Sequence, residues 1–209
     1  MKIFFVSGVD THVGKTFFTH RLAHIFQAQG LRTIAIKPIE TGVQDGQPED
    51  SLIHLQDAQR LFPSLTLKEI NFYSFSLPSA PYVADKDREI NLELIYEKIE
   101  GFQKNLDILL IEGAGGLFVP IKKDFFMLDF ALELQRRFCS KSLVVCDGEL
   151  GMIHRFLSAK FVLDSLKLQH LFFVNIRNQR AFEVINLPFM QTYDFERDIN
   201  FLAQRLLEE

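Results

Sequence analysis

The feature that most constrains this chain is a glycine-containing loop between a short apolar run and an amphipathic stretch. Residues 3–6 are continuously apolar, as in a buried strand, and apolar residues recur at helical spacing from Phe17 to Phe26. Between them lies Gly-Val-Asp-Thr-His-Val-Gly-Lys-Thr at residues 8–16. The backbone N–H groups of such a loop, together with the N-terminus of the following helix, form a cradle for phosphate. The lysine would contact the terminal phosphates and the threonine hydroxyl would ligate Mg²⁺.

The loop departs from the common phosphate-binding pattern at one position. That pattern places four residues between its first glycine and the Gly-Lys-Thr triplet, so it requires glycine at position 9. The residue there is Val9, and the nearest glycine is Gly8. A chance Gly-Lys-Thr at a helix start is the alternative interpretation, and the flanking strand and helix favour the phosphate site.

Composition limits the class of protein. The 209 residues are 47% hydrophobic and carry a formal net charge of −4, which predicts one globular domain spanning 1–209 and argues against a nucleic-acid partner. No segment approaches the roughly 20 apolar residues of a membrane span. Two cysteines, Cys139 and Cys146, are too few for a disulfide framework, so we expect a cytoplasmic protein.

Apolar strands alternate with helical patterns along the chain. The predicted strands are residues 3–6, 32–37, 71–75, 106–111, 142–146 and 170–175, and helices are predicted after the loop and from about 49, 92, 126, 153 and 195. Continuous apolar strands separated by helices indicate a mostly parallel sheet covered on both faces. We therefore expect a three-layer α/β fold.

Ligands of such sheets bind beyond the carboxyl ends of the strands, so the residues found there are site candidates. Lys37 could neutralise charge on a transferred phosphoryl group, or could be an ordinary solvated lysine. Glu112, followed by a run of small residues, could hold Mg²⁺, although an acidic residue often simply ends a strand. Asp50 or Asp57 could supply a second carboxylate, and either could instead cap a helix or stabilise its first turn. Asn175 ends the last predicted strand.

The spacing of three histidines does not indicate a metal site. His12, His54 and His154 show no metal-ligand spacing, and no metal role is predicted for them.

At these residues the chain resembles the dethiobiotin synthetase family. Residues 8–16 are similar to its phosphate loop, Gly-x-Asp-Thr-x-Val-Gly-Lys-Thr, so the extra residue is a feature of that family. Residues 37–42 resemble its Lys-Pro-x-x-[Ser/Thr]-Gly stretch, 79–82 its substrate loop, 112–116 its second glycine-rich loop and 150–154 its Leu-Gly-x-Ile segment. The matches keep the family's order, and they imply a P-loop NTPase-like fold.

The resemblance implies ATP-dependent closure of a ureido ring on 7,8-diaminononanoate with CO₂, giving dethiobiotin, ADP and phosphate. A carbamate forms on one amine, ATP phosphorylates it, and the second amine displaces phosphate. The implied partners are these small molecules and a second copy of the chain, as a homodimer with the substrate site at the interface. Neither a nucleic acid nor a membrane is implied.

The resemblance also implies roles for individual residues. The catalytic groups are Lys37, Lys15 and Thr11. The nucleotide would contact His12, Val13, Gly14, Lys15, Thr16, Phe17, Glu112, Gly113, Ala114, Gly115 and Asn175. The substrate would contact Thr41, Ser79, Pro81, Tyr82, Gly151 and Ile153. Mg²⁺ would be held by Thr16, Asp50 and Glu112, with Asp50 preferred to Asp57 because residues 50–56 resemble the family's Asp-x-Leu-x-x-Leu reading.

The sequence departs from the family in three places. His154 and Arg155 follow Ile153 where the family usually has an asparagine that helps hold the substrate carboxylate. The tail after Asn175 is short, and the family's Gly-x-x-Pro segment is degenerate at 185–188. The acidic stretch 147–149 has no counterpart that we can place.

A second functional class has the same motifs. Nucleotide-dependent switch ATPases of the partitioning and division-site type share the fold, but they typically carry a lysine five residues before the catalytic one. That position here is Asp10, and the chain ends in Leu-Glu-Glu rather than in a basic amphipathic helix. Both features favour the synthetase.

Overall fold

A computed structural model describes residues 1–208 of the chain. The strands are β1 (Lys2–Gly8), β2 (Thr33–Ile36), β3 (Ile39–Thr41), β4 (Tyr73–Phe75), β5 (Ile108–Gly116), β6 (Pro120–Lys122), β7 (Phe125–Phe126), β8 (Lys141–Asp147) and β9 (His170–Asn175). The helices are α1 (Lys15–Ala28), α2 (Glu49–Ala58), α3 (Leu67–Ile70), α4 (Pro81–Ala84), α5 (Leu92–Gly101), α6 (Met127–Phe138), α7 (Met152–Ser165), α8 (Gln179–Ile185), α9 (Leu187–Met190) and α10 (Ile199–Glu208).

The central sheet has the order β2-β5-β1-β8-β9, and all its strand pairs within residues 1–208 are parallel. Successive side chains of a strand point to opposite faces, and in β1 both faces are apolar. Phe5 packs into the core on one side with Phe130 and Phe156, whereas Phe4 packs on the other side with Phe26. This explains why the strands are continuously apolar. The predicted three-layer α/β fold is confirmed.

Helices from different parts of the chain build the two outer layers. Buried side chains of α1 and α10 cover one face of the sheet, and those of α5, α6 and α7 cover the other. No helix among residues 1–208 has the length and apolar character required to cross a membrane.

Two predicted elements at the sheet margins differ in extent or pairing from the structure. Of the strand predicted at 71–75, Tyr73–Phe75 is extended, and it pairs with β3 in a separate small sheet. The last helix begins at Ile199 rather than at 195, because Glu196 exchanges backbone hydrogen bonds with the strand residues Phe172 and Val174, both at 2.8 Å. This edge pairing competes with the helical pattern of the sequence.

The register of the sheet brings the site together. Glu112 on β5 lies opposite Val6 of β1, just before the phosphate loop, and Ile111 lies opposite Ile36, the last residue of β2. Lys37 directly follows Ile36. The carboxyl ends of three neighbouring strands therefore deliver the loop, the lysine and the carboxylate to one edge of the sheet.

Candidate active site

The phosphate loop leaves β1 and turns into α1 through two residues with left-handed backbone. These are His12, with φ 57°, and Gly14, with φ 97° at the N-cap of α1. The loop is tied to the neighbouring strand by the Val9 N–H, which donates to the carbonyl of Val145 at 3.0 Å. The first N–H groups of α1 have no partner within the helix, which leaves them able to bind an anion.

A cleft of about 880 Å³ opens above this loop. It is bounded by the loop, the start of α2, the segment 78–81 and the glycine-rich end of β5. Its lining includes Thr11, His12, Gly14, Lys15, Thr16, Phe17, Lys37, Thr41, Asp50, Ser79, Pro81, Glu112, Ala114, Gly115 and Arg177. Most residues that the sequence assigned to nucleotide, metal or substrate thus lie around one cleft.

The fully buried carboxylate of Glu112 is the centre of the hydrogen-bond network in this cleft. Its Oε1 accepts hydrogen bonds from Thr16 Oγ1 at 2.8 Å and from Lys37 Nζ at 2.9 Å, and its Oε2 lies 2.7 Å from His54 Nε2. Burial alone would raise the pKa of Glu112, but Lys37 and His54 outweigh burial and hold it well below its ordinary value. The carboxylate is therefore ionised.

Two lysines reach the cleft in different electrostatic settings. Lys37 Nζ also donates to Asp50, and although burial by itself lowers the pKa of Lys37, Glu112 and Asp50 raise it above the ordinary value. For Lys15 burial dominates, so its pKa is lowered despite the attraction of Glu112. Lys15 Nζ donates to the backbone carbonyl of Asp10 at 3.4 Å. Lys37 is thus held by carboxylates, whereas Lys15 is aimed into the loop.

Sequence reasoning missed two residues that organise the site. Glu40 accepts hydrogen bonds from the backbone N–H groups of Asp50 and Ser51, at 3.1 and 3.0 Å, and so fixes the N-terminus of α2. His54 lies one helical turn after Asp50 and contacts Glu112. The i, i+4 spacing of Asp50 and His54 was the available signal, because it places both on one face of α2.

Asn175 and Arg177 brace the phosphate loop from the end of β9. Asn175 Nδ2 donates to the carbonyl of Val13 at 2.9 Å, and Arg177 Nη2 donates to the carbonyl of His12 at 2.5 Å. In this conformation the Asn175 amide is therefore hydrogen-bonded to the phosphate loop.

Some predicted residues do not present side chains to the cleft. The Val13 side chain is buried, and Gly113 lies against Phe5, whose ring carbon would stand 2.8 Å from an added Cβ, so only their backbones are available. Tyr82 stacks beneath Arg88, with its ring centroid 4.1 Å from the guanidinium carbon.

Gly151 and Ile153, at the start of α7, also lie outside the lining of the cleft in this single chain. Asp57 lies elsewhere too, against His20 and His24.

The three departures from the family pattern have structural consequences. Arg155 pairs with Asp147 at 2.5 Å, and Asn186 donates to the carbonyl of Gly148 at 2.8 Å. The acidic stretch is therefore held between α7 and α9. Pro188 sits in the first turn of α9, so the degenerate segment forms short helices.

The strand, loop and helix, with a lysine, a threonine and a buried carboxylate facing one cleft, define a P-loop nucleotide-binding protein. Among solved structures, the chain is similar to a plasmid partition protein from Borrelia burgdorferi (TM-score 0.57, 15% identity, covering 99% of this chain and 96% of that one). It is also similar to the MinC:MinD cell division protein complex from Aquifex aeolicus (TM-score 0.56, 14% identity, 100% and 96%). Identity at this level establishes the fold alone.

Sequence relatives narrow the class to a family. A family model described as an AAA domain matches residues 2–185. The chain is 38% identical to ATP-dependent dethiobiotin synthetase from Helicobacter pylori, covering 98% of this chain and 96% of the relative, and 34% identical to that from Wolinella succinogenes, covering 99% of both. The chain therefore belongs to the ATP-dependent dethiobiotin synthetase family.

The loop geometry predicts the effect of one substitution. A Cβ at Gly14 would stand 2.3 Å from Asn175 Nδ2 in a backbone conformation that side chains rarely adopt, so Gly14→Ala should displace the loop or its brace. We expect nucleotide affinity, measured by calorimetry, to fall at least about tenfold, or about 1.4 kcal/mol. Gly30→Ala is the matched control, because Gly30 also has a positive φ but open space around it. Equal nucleotide affinity in both variants would contradict the assigned loop geometry.

Proposed function

We propose that the chain catalyses the ATP-dependent conversion of 7,8-diaminononanoate and CO₂ to dethiobiotin, ADP and phosphate. Family membership supports this reaction. The observation in the structure that supports the proposal is a single cleft that joins the phosphate loop to Lys37, Thr41 and residues 79–81 of the segment that resembles the family's substrate loop.

The reaction balances in three steps. One amine of the diamine adds to CO₂ and loses a proton, giving a carbamate. A carbamate oxygen attacks the γ-phosphorus of ATP and ADP departs, which leaves a carbamic-phosphoric anhydride. The second amine attacks the carbamoyl carbon and loses a proton, phosphate departs, and the ureido ring closes.

No protein nucleophile is required, so the protein acts by positioning and by stabilising negative charge. Lys15, Lys37 and Thr11 are proposed to surround the transferred phosphoryl group, and the N–H groups at the start of α1 are proposed to bind the phosphates. Thr41 and Ser79 are proposed to face the carbamate. Because Glu112 and Lys37 are buried, the low dielectric constant around them strengthens their electrostatic interactions.

The donor set also fits Mg²⁺. Thr16, Asp50 and Glu112 offer a hydroxyl and two carboxylates, the hard oxygen ligands that this ion prefers while it retains some water. When bound, Mg²⁺ would neutralise charge on the β- and γ-phosphates. The Lys37 ammonium contacts the carboxylates of Asp50 and Glu112, so the two carboxylates already hold one positive charge.

We also propose that the chain acts as a cytoplasmic homodimer with the substrate site at the interface. A groove beside the phosphate loop is lined by Phe118, His154 and Arg155, and the exposed fraction of Phe118 is 61%. Leu150 and Phe161 are also exposed apolar residues. Exposed apolar residues are common on surfaces that are covered in an assembly. Gly151 and Ile153 would then contact substrate across the interface.

The direct test of the reaction is incubation of the purified chain with diamine, bicarbonate, Mg²⁺ and ATP, followed by detection of dethiobiotin by mass. The expected result is dethiobiotin and ADP in equal amounts, with no product when the diamine is omitted. ATP hydrolysis that proceeds without any dethiobiotin would instead favour the switch-ATPase class.

Lys15 and Lys37 are expected to be essential for turnover. Lys15→Ala and Lys37→Ala should each lower kcat by about 10² or more, because each removes positive charge from the transition state. Lys37→Ala should also lower Tm, since it leaves the buried Glu112 without its cation. Lys37→Arg retains the charge and separates the two effects: it should recover stability without recovering normal turnover. The exposed Lys104→Ala serves as control, and a Lys37→Ala enzyme with ordinary kcat would remove this lysine from the mechanism.

Asp50 is expected to set the Mg²⁺ requirement. In Asp50→Asn the Mg²⁺ concentration for half-maximal activity should rise at least about tenfold, because an amide is a weaker ligand for a hard cation than a carboxylate. Glu97→Gln removes an exposed carboxylate that does not line the cleft and should leave the requirement unchanged. A nucleotide–Mg²⁺ crystal structure with Asp57 in the coordination sphere instead of Asp50 would contradict the assignment.

Weak discrimination among nucleotide bases is expected. Base selection requires buried polar groups that are left unpaired by the wrong base. The candidate group, Asn175, donates to the Val13 carbonyl and is therefore already used by the phosphate loop. We therefore expect similar kcat/KM for ATP, GTP and CTP, and expect Asn175→Ala to raise KM for all three alike. A preference for ATP above roughly 10³-fold, or about 4 kcal/mol, would show that the tail builds a base pocket.

A further inference from the structure

A second cluster of ligating side chains lies outside the cleft, between α1 and α2. His20 and His24 are four residues apart on α1, so both rings lie on the same face of the helix, with centroids 4.4 Å apart. Asp57, near the end of α2, faces both rings. Its Oδ2 lies 2.5 Å from His20 Nδ1 and its Oδ1 lies 2.7 Å from His24 Nε2.

The buried carboxylate of this cluster faces two imidazole rings, and its arginine partner is distant and exposed. The Asp57 side chain is 5% exposed, and the nearest formal cation that pairs with it in residues 1–208 is Arg60, at 3.9 Å and largely exposed. A buried carboxylate requires a strong counter-charge or several hydrogen bonds. The two imidazoles contribute hydrogen bonds to Asp57. A divalent ion between the three groups would supply the charge as well.

The geometry suits a small transition ion. The three ligand atoms lie within 4.8 Å of one another. Around a tetrahedral ion with bonds of about 2.1 Å, ligand atoms stand about 3.4 Å apart, a spacing that lies within this range. The His20 and His24 side chains are 33% and 30% exposed, which leaves an approach from solvent for the ion and for a water as fourth ligand.

We propose that His20, His24 and Asp57 form a binding site for a zinc-type divalent transition ion. Two nitrogens and one carboxylate oxygen are the ligands that such ions accept, whereas Mg²⁺ and Ca²⁺ prefer oxygen donors alone. The ion would cross-link α1, which begins with Lys15 and Thr16, to α2, which begins at the Asp50 turn. The site is distinct from the cleft and does not depend on the proposed reaction.

The test is a Zn²⁺ titration of the full-length chain without an affinity tag, in competition with a chromophoric chelator and without nucleotide. We expect one Zn²⁺ per chain, and an affinity at least about 100-fold lower in His24→Ala, because loss of a ligand exceeds the 10- to 100-fold effect of an outer-shell change. His20→Gln and Asp57→Asn should show the same loss, since they retain hydrogen-bonding groups of similar size and therefore test binding rather than folding. Co²⁺ in place of Zn²⁺ should give the visible absorption of a low-coordinate nitrogen–oxygen site.

The control is His170→Ala, which removes a histidine that pairs with one carboxylate, Asp164, at 3.6 Å, but belongs to no three-residue cluster among residues 1–208. It should bind Zn²⁺ as the wild type does. The proposal is overturned if the wild type binds no Zn²⁺, or if His24→Ala binds it equally well. It is also overturned if Asp50→Asn, and not His20→Gln, abolishes binding, since the ion would then occupy the cleft.

Discussion

The structure of the site depends on the contacts of one fully buried, ionised carboxylate. Glu112 emerges from the middle of the sheet and bonds to Thr16 of α1, Lys37 after β2 and His54 of α2. Removing the counter-charge of such a group typically costs about 3–5 kcal/mol, so these contacts bind three elements to one strand. The same contacts place a hydroxyl, an ammonium and a carboxylate where phosphates are expected.

The arrangement of α2 follows from a second buried carboxylate. Glu40 caps the first turn of this helix from β3, which brings Asp50 to Lys37 and His54 to Glu112. A helix whose first residues lack such a cap would fray and release Asp50 from the cleft. The site is thus positioned by side chains that need not touch substrate.

The sequence predicted the parts of the structure that local patterns encode. The loop at 8–16, the apolar strands and the small-residue segment after Glu112 each carry a motif or a period, and the structure assembles them as a parallel sheet predicts. The structural roles of Glu40, His54 and the His20–His24–Asp57 cluster were not predicted, because each depends on contacts between elements distant in sequence. The start of the last helix was misplaced for the same reason, since Glu196 is held by pairing with β9. Gly151 and Ile153, which the resemblance assigns to substrate, lie outside the lining of the cleft in the single chain.

The most direct test of this account is the kcat/KM of Glu112→Gln for dethiobiotin formation at saturating Mg²⁺. The substitution preserves size and hydrogen bonding to Thr16, but removes the charge that holds Lys37. The account predicts a folded protein whose kcat/KM is lower by about 10² or more, whereas Glu133→Gln, which changes a carboxylate distant from the cleft, stays at the wild-type value. Wild-type kcat/KM in Glu112→Gln would contradict the central role of the buried carboxylate.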